Sequence, residues 1–211
     1  MARKIVKYLL LTIVIGLLAY KSVFIIKLSE LQTIEPKAFD APAFVQQLWE
    51  NKLPALLNSA LTLDTLQAAL KVSPAQTFDS HFNSMSIGNV RYGLLKVTGK
   101  VLSVNEDDVE VLFGSKDNQH TVKIATEYVY GNALRDASRL VNIKDFVNTT
   151  DLNKISEELN KKVRTKVLPA FKGTVQKGDS VVCTGAIELN QAHYSLDDLE
   201  IIPVQCKIIQ H

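Results

Sequence analysis

The chain has 211 residues, with 24 Lys and Arg against 22 Asp and Glu and a formal net charge of +2. That length admits one domain or two small ones. Part of the positive charge sits at Arg3, Lys4 and Lys7, so the remainder is close to neutral and has no electrostatic footprint for nucleic acid or another polyanion.

The three basic residues precede an apolar run from Tyr8 to Ala19, which resumes after Tyr20 and Lys21 as Val23-Phe24-Ile25-Ile26. A spanning helix needs about 20 mostly apolar residues. Residues 8–26 supply them if Lys21 extends its stem back to the headgroups. The basic flank keeps the N-terminus in the cytoplasm and places the rest outside it. The expected location is the bacterial inner membrane, crossed once, with the C-terminal part in the periplasm. A cleaved signal peptide with Tyr8–Tyr20 as its apolar part is the competing reading, but Ala19-Tyr20-Lys21 is a poor cleavage site. No Cys follows the run, so the residue that a lipid anchor modifies is missing.

The organisation reads as an anchor over 1–28, a tether over 29–42, a helical segment over 43–85 and a barrel domain over 86–211. Pro36 and Pro42 discourage a continuous helix through the tether. From Ala43 to Lys52, Phe44, Val45, Leu48 and Trp49 fall on one helix face. Pro54 opens the next turn. Leu63, Leu66 and Leu70 mark a helix that Ser73-Pro74 ends.

After Val90 the period changes to two. Tyr92–Val104 is the first strand, with Gly99 at a bulge or sharp coil. Val109–Phe113 and His120–Ala125 follow, separated by the turns Asn105–Asp108 and Gly114–Asn118. A helical insert over 127–170 comes next. Thr149, Thr150 or Asp151 caps its long helix, Leu152, Ile155, Leu159, Val163 and Val167 recur at helical spacing, and Pro169 stops it. Ser180 begins a fourth strand, and Leu199–Ile209 is the last, with Pro203 at an edge or bulge. Three strands, a helix and two strands is the order of an OB-fold. The expected class is α+β: a transmembrane helix, a small helical segment and an OB-like five-stranded antiparallel barrel, its helical insert lying between strands 3 and 4.

Gly131-Asn132-Ala133-Leu134-Arg135-Asp136 is the most unusual stretch. Gly131 admits a close backbone approach, and Arg135 can grip a carboxylate or phosphate. The reading favoured over that one is that Arg135 and Asp136 lock the insert onto the barrel with hydrogen bonds and an ion pair. Cys183 and Cys206 fall in neighbouring strands, where a disulfide and two buried small side chains both fit. His81, His120 and His211 do not cluster with other metal ligands. There is no nucleophile elbow and no phosphate loop, so neither a catalytic residue nor a cofactor is assigned. His193 beside Tyr194 fits a surface turn, and also a haem-handling OB protein.

Phe39-Asp40, Trp49-Glu50, Pro54, Gly131-x-Ala133-Leu134-Arg135-Asp136, Phe146-x-Asn148 and Leu159-Asn160, in that order, resemble an uncharacterised bacterial family of predicted periplasmic lipoproteins. The resemblance runs from about residue 37 to the end. Members are often encoded beside sugar ABC transporters, which implies an accessory role in solute uptake, with a membrane transporter or its binding protein as partner. The family's recurrent positions map onto Trp49, Gly131, Arg135, Asp136 and Asn148, and with Asn132 these form the candidate ligand set. The leading expectation is a non-enzymatic, membrane-anchored binding module. The alternatives are a haem-handling protein or enzyme, and a structural scaffold of a membrane complex.

Overall fold

The computed structural model describes residues 2–22, 39–115 and 118–209. Val23–Ile26, the tether up to residue 38, Lys116 and Asp117 of the second turn, and His211 lie outside the described residues. The chain divides into two units, Met1–Phe39 and Asp40–His211.

The first unit contains helix α1, Ala2–Ser22. Its stretch Ile5–Ser22 is long and apolar enough to cross a membrane. Leu10, Ile13 and Leu17 are all exposed, so the helix has no polar face to turn towards water. That pattern suits lipid on every side.

The second unit begins with α2, Ala41–Gln47. Pro42 sits in the first turn, where its missing N–H would have no partner anyway. Asp40 caps the turn, its side chain accepting from Ala43 N at 2.9 Å. A π-helical turn, Leu48–Lys52, leads into α3, Leu53–Asn58. Strand β1, Leu61–Thr62, precedes α4, Leu63–Val72. Ser73-Pro74 ends α4 as expected, but Pro74 also opens α5, Pro74–His81, which the periodicity did not mark. Strand β2, Phe82–Asn83, follows.

The barrel strands are β3 (Val90–Val104), β4 (Asp108–Ser115), β5 (Asn118–Ala125), β6 (Ser180–Asn190) and β7 (Leu199–Ile209). Strand β3 is long enough to serve two partners. Its first part pairs with β6 from Val90↔Asn190 to Lys100↔Ser180, and its last part pairs with β4. The ring closes through β4, β5, β7 and β6. It is not wholly antiparallel. β5 and β7 pair in parallel, Val122 opposite Leu199 and Ile124 opposite Ile201, and the short β1 also lies parallel to β3. A closed ring of five strands cannot alternate direction at every step, so one neighbouring pair must run the same way. The bulge of β3 lies between Val101 and Ser103 rather than at Gly99. The register shift of β7 falls at Pro203, opposite Gly185.

The insert between β5 and β6 carries α6, Ala133–Ser138, a 3-10 turn at Ile143–Asp145 and α7, Thr149–Lys162. Asn148, not the residues after it, caps α7 by accepting from Asp151 N at 3.0 Å. Pro169 does not stop the helical run. A second π turn, Val163–Val167, passes it into α8, Leu168–Lys172. Both π turns stand directly before Leu-Pro. A proline in an α-helix clashes with the carbonyl four residues back. The wider turn removes that clash and hands the bond to the leucine instead, with Leu53 N donating to Leu48 O and Leu168 N to Val163 O.

Apolar faces from both layers meet in one core. Leu95, Val109, Val111, Val122, Ile124 and Ile201 come from the barrel, with Leu66, Leu70 and Phe78 from α4 and α5, and Phe171 from α8. Cys183 and Cys206 stand opposite each other on β6 and β7 and form a disulfide, 23 residues apart in the chain. Closing a loop of that length removes about 3 kcal/mol of unfolded-state entropy. The double variant Cys183→Ala, Cys206→Ala should lose roughly that much, read as a lower urea midpoint with a steeper slope, because the opened unfolded chain exposes more surface; an unmoved midpoint would show that the bond staples nothing.

Candidate functional site

Tyr92 on β3 stands opposite Glu188 on β6. Beside them, β7 begins with Leu199 and Glu200, preceded by the polar turn that holds Asp197 and Asp198. The start of the insert, Tyr128–Ala133, forms the far wall. Together these stretches enclose a cleft of about 630 Å3. Three tyrosines (Tyr92, Tyr128, Tyr130) and four carboxylates (Glu188, Asp197, Asp198, Glu200) line it, and among the described residues no Lys, Arg or His does. Tyr128 and Tyr130 are 61% and 71% exposed, an unusual state for aromatic rings on a monomer surface.

The electrostatics follow from that lining. Burial, then the charge of Glu188 and a hydrogen bond to it, push the Tyr92 hydroxyl up to about 12, with Asp136 adding to the shift and Arg135 opposing it. Burial, then Asp108, raises the Glu200 carboxyl, with Lys123 opposing. Asp197 is met by His120 at 3.8 Å. Asp198 has φ 56°, a left-handed conformation that Asp adopts more readily than most residues. A broader concavity of about 820 Å3 beside Thr174–Ser180 has no aromatic wall and a single carboxylate, Asp179. That carboxylate already accepts from Gln176 N.

A second cleft of about 340 Å3 lies across the Tyr130-Gly131-Asn132 ridge, its other wall formed by α7. Asn160 of α7 donates to Gly131 O at 2.9 Å, and the Ser156 hydroxyl donates to Asn132 Oδ1 at 3.0 Å. These bonds hold the ridge in place.

The expected site residues separate into three groups. Gly131 and Asn132 line both clefts. Arg135 and Asp136 line neither. They are 4% and 0% exposed. Arg135 Nε donates to Asp136 Oδ1 at 2.7 Å and Nη1 to Leu152 O at 3.3 Å. Asp136 Oδ2 accepts from Met85 N at 3.0 Å, and its carbonyl accepts from Asn83. The pair thus ties α6 to α7 and to the chain after β2. Trp49 is half-buried in the first π turn and Asn148 caps α7, both away from the cleft linings. His193 is exposed in the turn after β6, and the Tyr194 ring packs on Phe78 at 5.7 Å. Among the described residues no group of three or more His, Cys, Asp and Glu is placed to hold a metal ion.

A family model described as predicted periplasmic lipoprotein (DUF2291) matches residues 13–207. The chain belongs to that family. The match takes in both the apolar helix and the barrel unit. The family's printed description places its members in the periplasm, and the apolar α1 is consistent with membrane anchoring. The crystal structure of an OB-fold protein (tm0957) from Thermotoga maritima MSB8 is 21% identical to the chain. It covers 82% of this chain and 100% of that one, with a TM-score of 0.70. The likeness shows the fold: a mixed α and β chain with an OB-type barrel. A Stn1-Ten1 complex from S. pombe also matches, at 10% identity, 61% and 71% coverage and a TM-score of 0.26, too low to bear on the fold. No curated protein matches.

Tyr92, Tyr128, Tyr130, Glu188 and the acidic turn were not singled out from the sequence. Tyr128-Val129-Tyr130, two aromatics on either side of a buried valine and directly before Gly131, was the available signal.

Proposed function

We propose that the chain is a membrane-anchored periplasmic binding module that takes a small amine-bearing solute, an amino sugar in the first instance, into the Tyr92–Tyr128–Tyr130 cleft. One observation carries this: among the described residues, three tyrosines and four carboxylates line the cleft without a cationic side chain. Aromatic faces attract ammonium groups, and four exposed carboxylates on one cleft set up a negative field that draws a cation in. An anionic solute would be repelled there. The carboxylates are spread around a space suited to an organic ligand rather than gathered for a bare ion. In this reading residues 8–26 hold the module in the inner membrane by a single span. It serves a sugar uptake system there, as the resemblance implies, and a ring with both hydroxyls and an amine meets that role and the cleft's charge together. Gly131 and Asn132 act as ligand-contacting residues, while Arg135 and Asp136 fasten the wall that carries them.

Calorimetric titration of the full chain with glucosamine and with N-acetylglucosamine tests this. The amine should bind at least about tenfold tighter, and added salt should erode the difference. Equal affinities would sink the reading. Glu200→Gln gives a second, opposed pair of effects. A carboxyl raised by folding contributes stability below its unfolded pKa and loses it as pH rises through its folded pKa. Above its folded pKa the ionised Glu200 has lost that contribution, whereas glutamine never ionises. The variant should therefore melt at a slightly higher temperature while binding glucosamine more weakly. A lower melting temperature would show that Glu200 serves the fold.

A further inference from the structure

The second cleft differs from the first in its chemistry. Its α7 wall presents Asn153, Ser156 and Asn160, and its charged members, Glu157 and Arg164, are of opposite sign. Asn160 is only 4% exposed, and its Nδ2 is committed to Gly131 O. Its Oδ1 has no protein partner among the described residues. Every fully sealed side-chain polar atom among those residues does have one. The oxygen is therefore not sealed, and Asn160 is one of the residues that line the cleft. Across the ridge, Asn132 Oδ1 accepts from Ser156, which leaves the Asn132 amide N–H groups to donate. One acceptor and one donor, each fixed by a bond at its other end, stand at the same ridge. Such a pair suits neighbouring hydroxyls, which donate and accept in turn.

We infer that the two clefts form one bipartite site for a solute of at least two linked sugar rings. The ring with the amine occupies the tyrosine and carboxylate cleft. The next ring lies across Gly131, with its hydroxyls on Asn132 and Asn160. Gly131 keeps the crossing low: its φ is 78°, and nothing stands within 4 Å of where a Cβ would project. This inference rests on the binding role proposed above for the first cleft.

The test titrates the full chain with glucosamine and its β-1,4-linked dimer, and with N-acetylglucosamine and its dimer. The amine dimer should bind at least about tenfold tighter than the amine monomer, because the second ring binds at high effective concentration. Asn160→Ala should abolish that gain. Since Asn160 also anchors the ridge, Asn153→Ala is the second variant. Asn153 is exposed and lines only the second cleft, so this change should reduce the gain and leave monomer binding unaltered. Two dimers that are both no tighter than their monomers, or a gain that survives both variants, overturn the inference. If only the acetylated dimer exceeds its monomer, the bipartite site stands and the amine preference falls. If no probe binds, both fall.

Discussion

Arg135→Ala is expected to lower the unfolding free energy by about 3–5 kcal/mol. The guanidinium is the partner of a carboxylate with no exposed surface, so its removal leaves a buried charge uncompensated. The bond to Leu152 O, which holds α6 against α7, disappears with it. Asp136 would keep its bond from Met85 N, but one such bond does not replace a cation. Urea unfolding at neutral pH measures the loss. A variant with wild-type stability and no solute binding would instead put Arg135 in the site.

Gly185→Ala should lose about 3 kcal/mol or more. A Cβ there would lie 2.1 Å from Ile202 O and 2.6 Å from Ile201 Cγ2. The first of these is backbone and cannot rotate away. β6 and β7 would have to part beside the register shift, close to the disulfide that joins them. Gly99 is in the same position against Leu112 O at 2.3 Å, where β3 meets β4. The melting temperature of each alanine variant checks this, and an unchanged value at Gly185 would mean that the ladder tolerates a wider spacing there.

The barrel was legible because its signals are local. Alternation from Tyr92 to Val104, polar turns at Asn105–Asp108 and Asn190–His193, and the capped run of α7 each declare themselves within a dozen or so residues. Direction was the part misjudged, although parity alone requires one parallel pair in a ring of five. Pro169 misled for a definite reason: it follows a π turn, which the chemistry of single residues does not announce. Pro74 ends α4 as expected, and its first-turn position in α5 is a second role that a proline allows. The cleft was hidden for a different reason. Tyr92, Tyr128, Glu188 and Asp197 come from four separated stretches, and each looks like an ordinary strand or turn residue in its own neighbourhood. The Gly131–Asp136 stretch did stand out, but its two halves have different jobs. The ridge faces the clefts, and the helix that follows carries Arg135 and Asp136 inward.

The parallel seam of the barrel joins β5 to β7 only over Val122–Ile124 and Leu199–Ile201. Leu199 and Glu200 belong at once to that seam and to the cleft wall. The shortest stretch of the ring is therefore also the floor on which a solute would rest. Under the binding role proposed above, a solute held there would touch β7 and the turn before it, while β5 contributes no described residue to the cleft lining. Such a solute would stabilise the folded barrel by linkage, through its contacts on the β7 side of the seam.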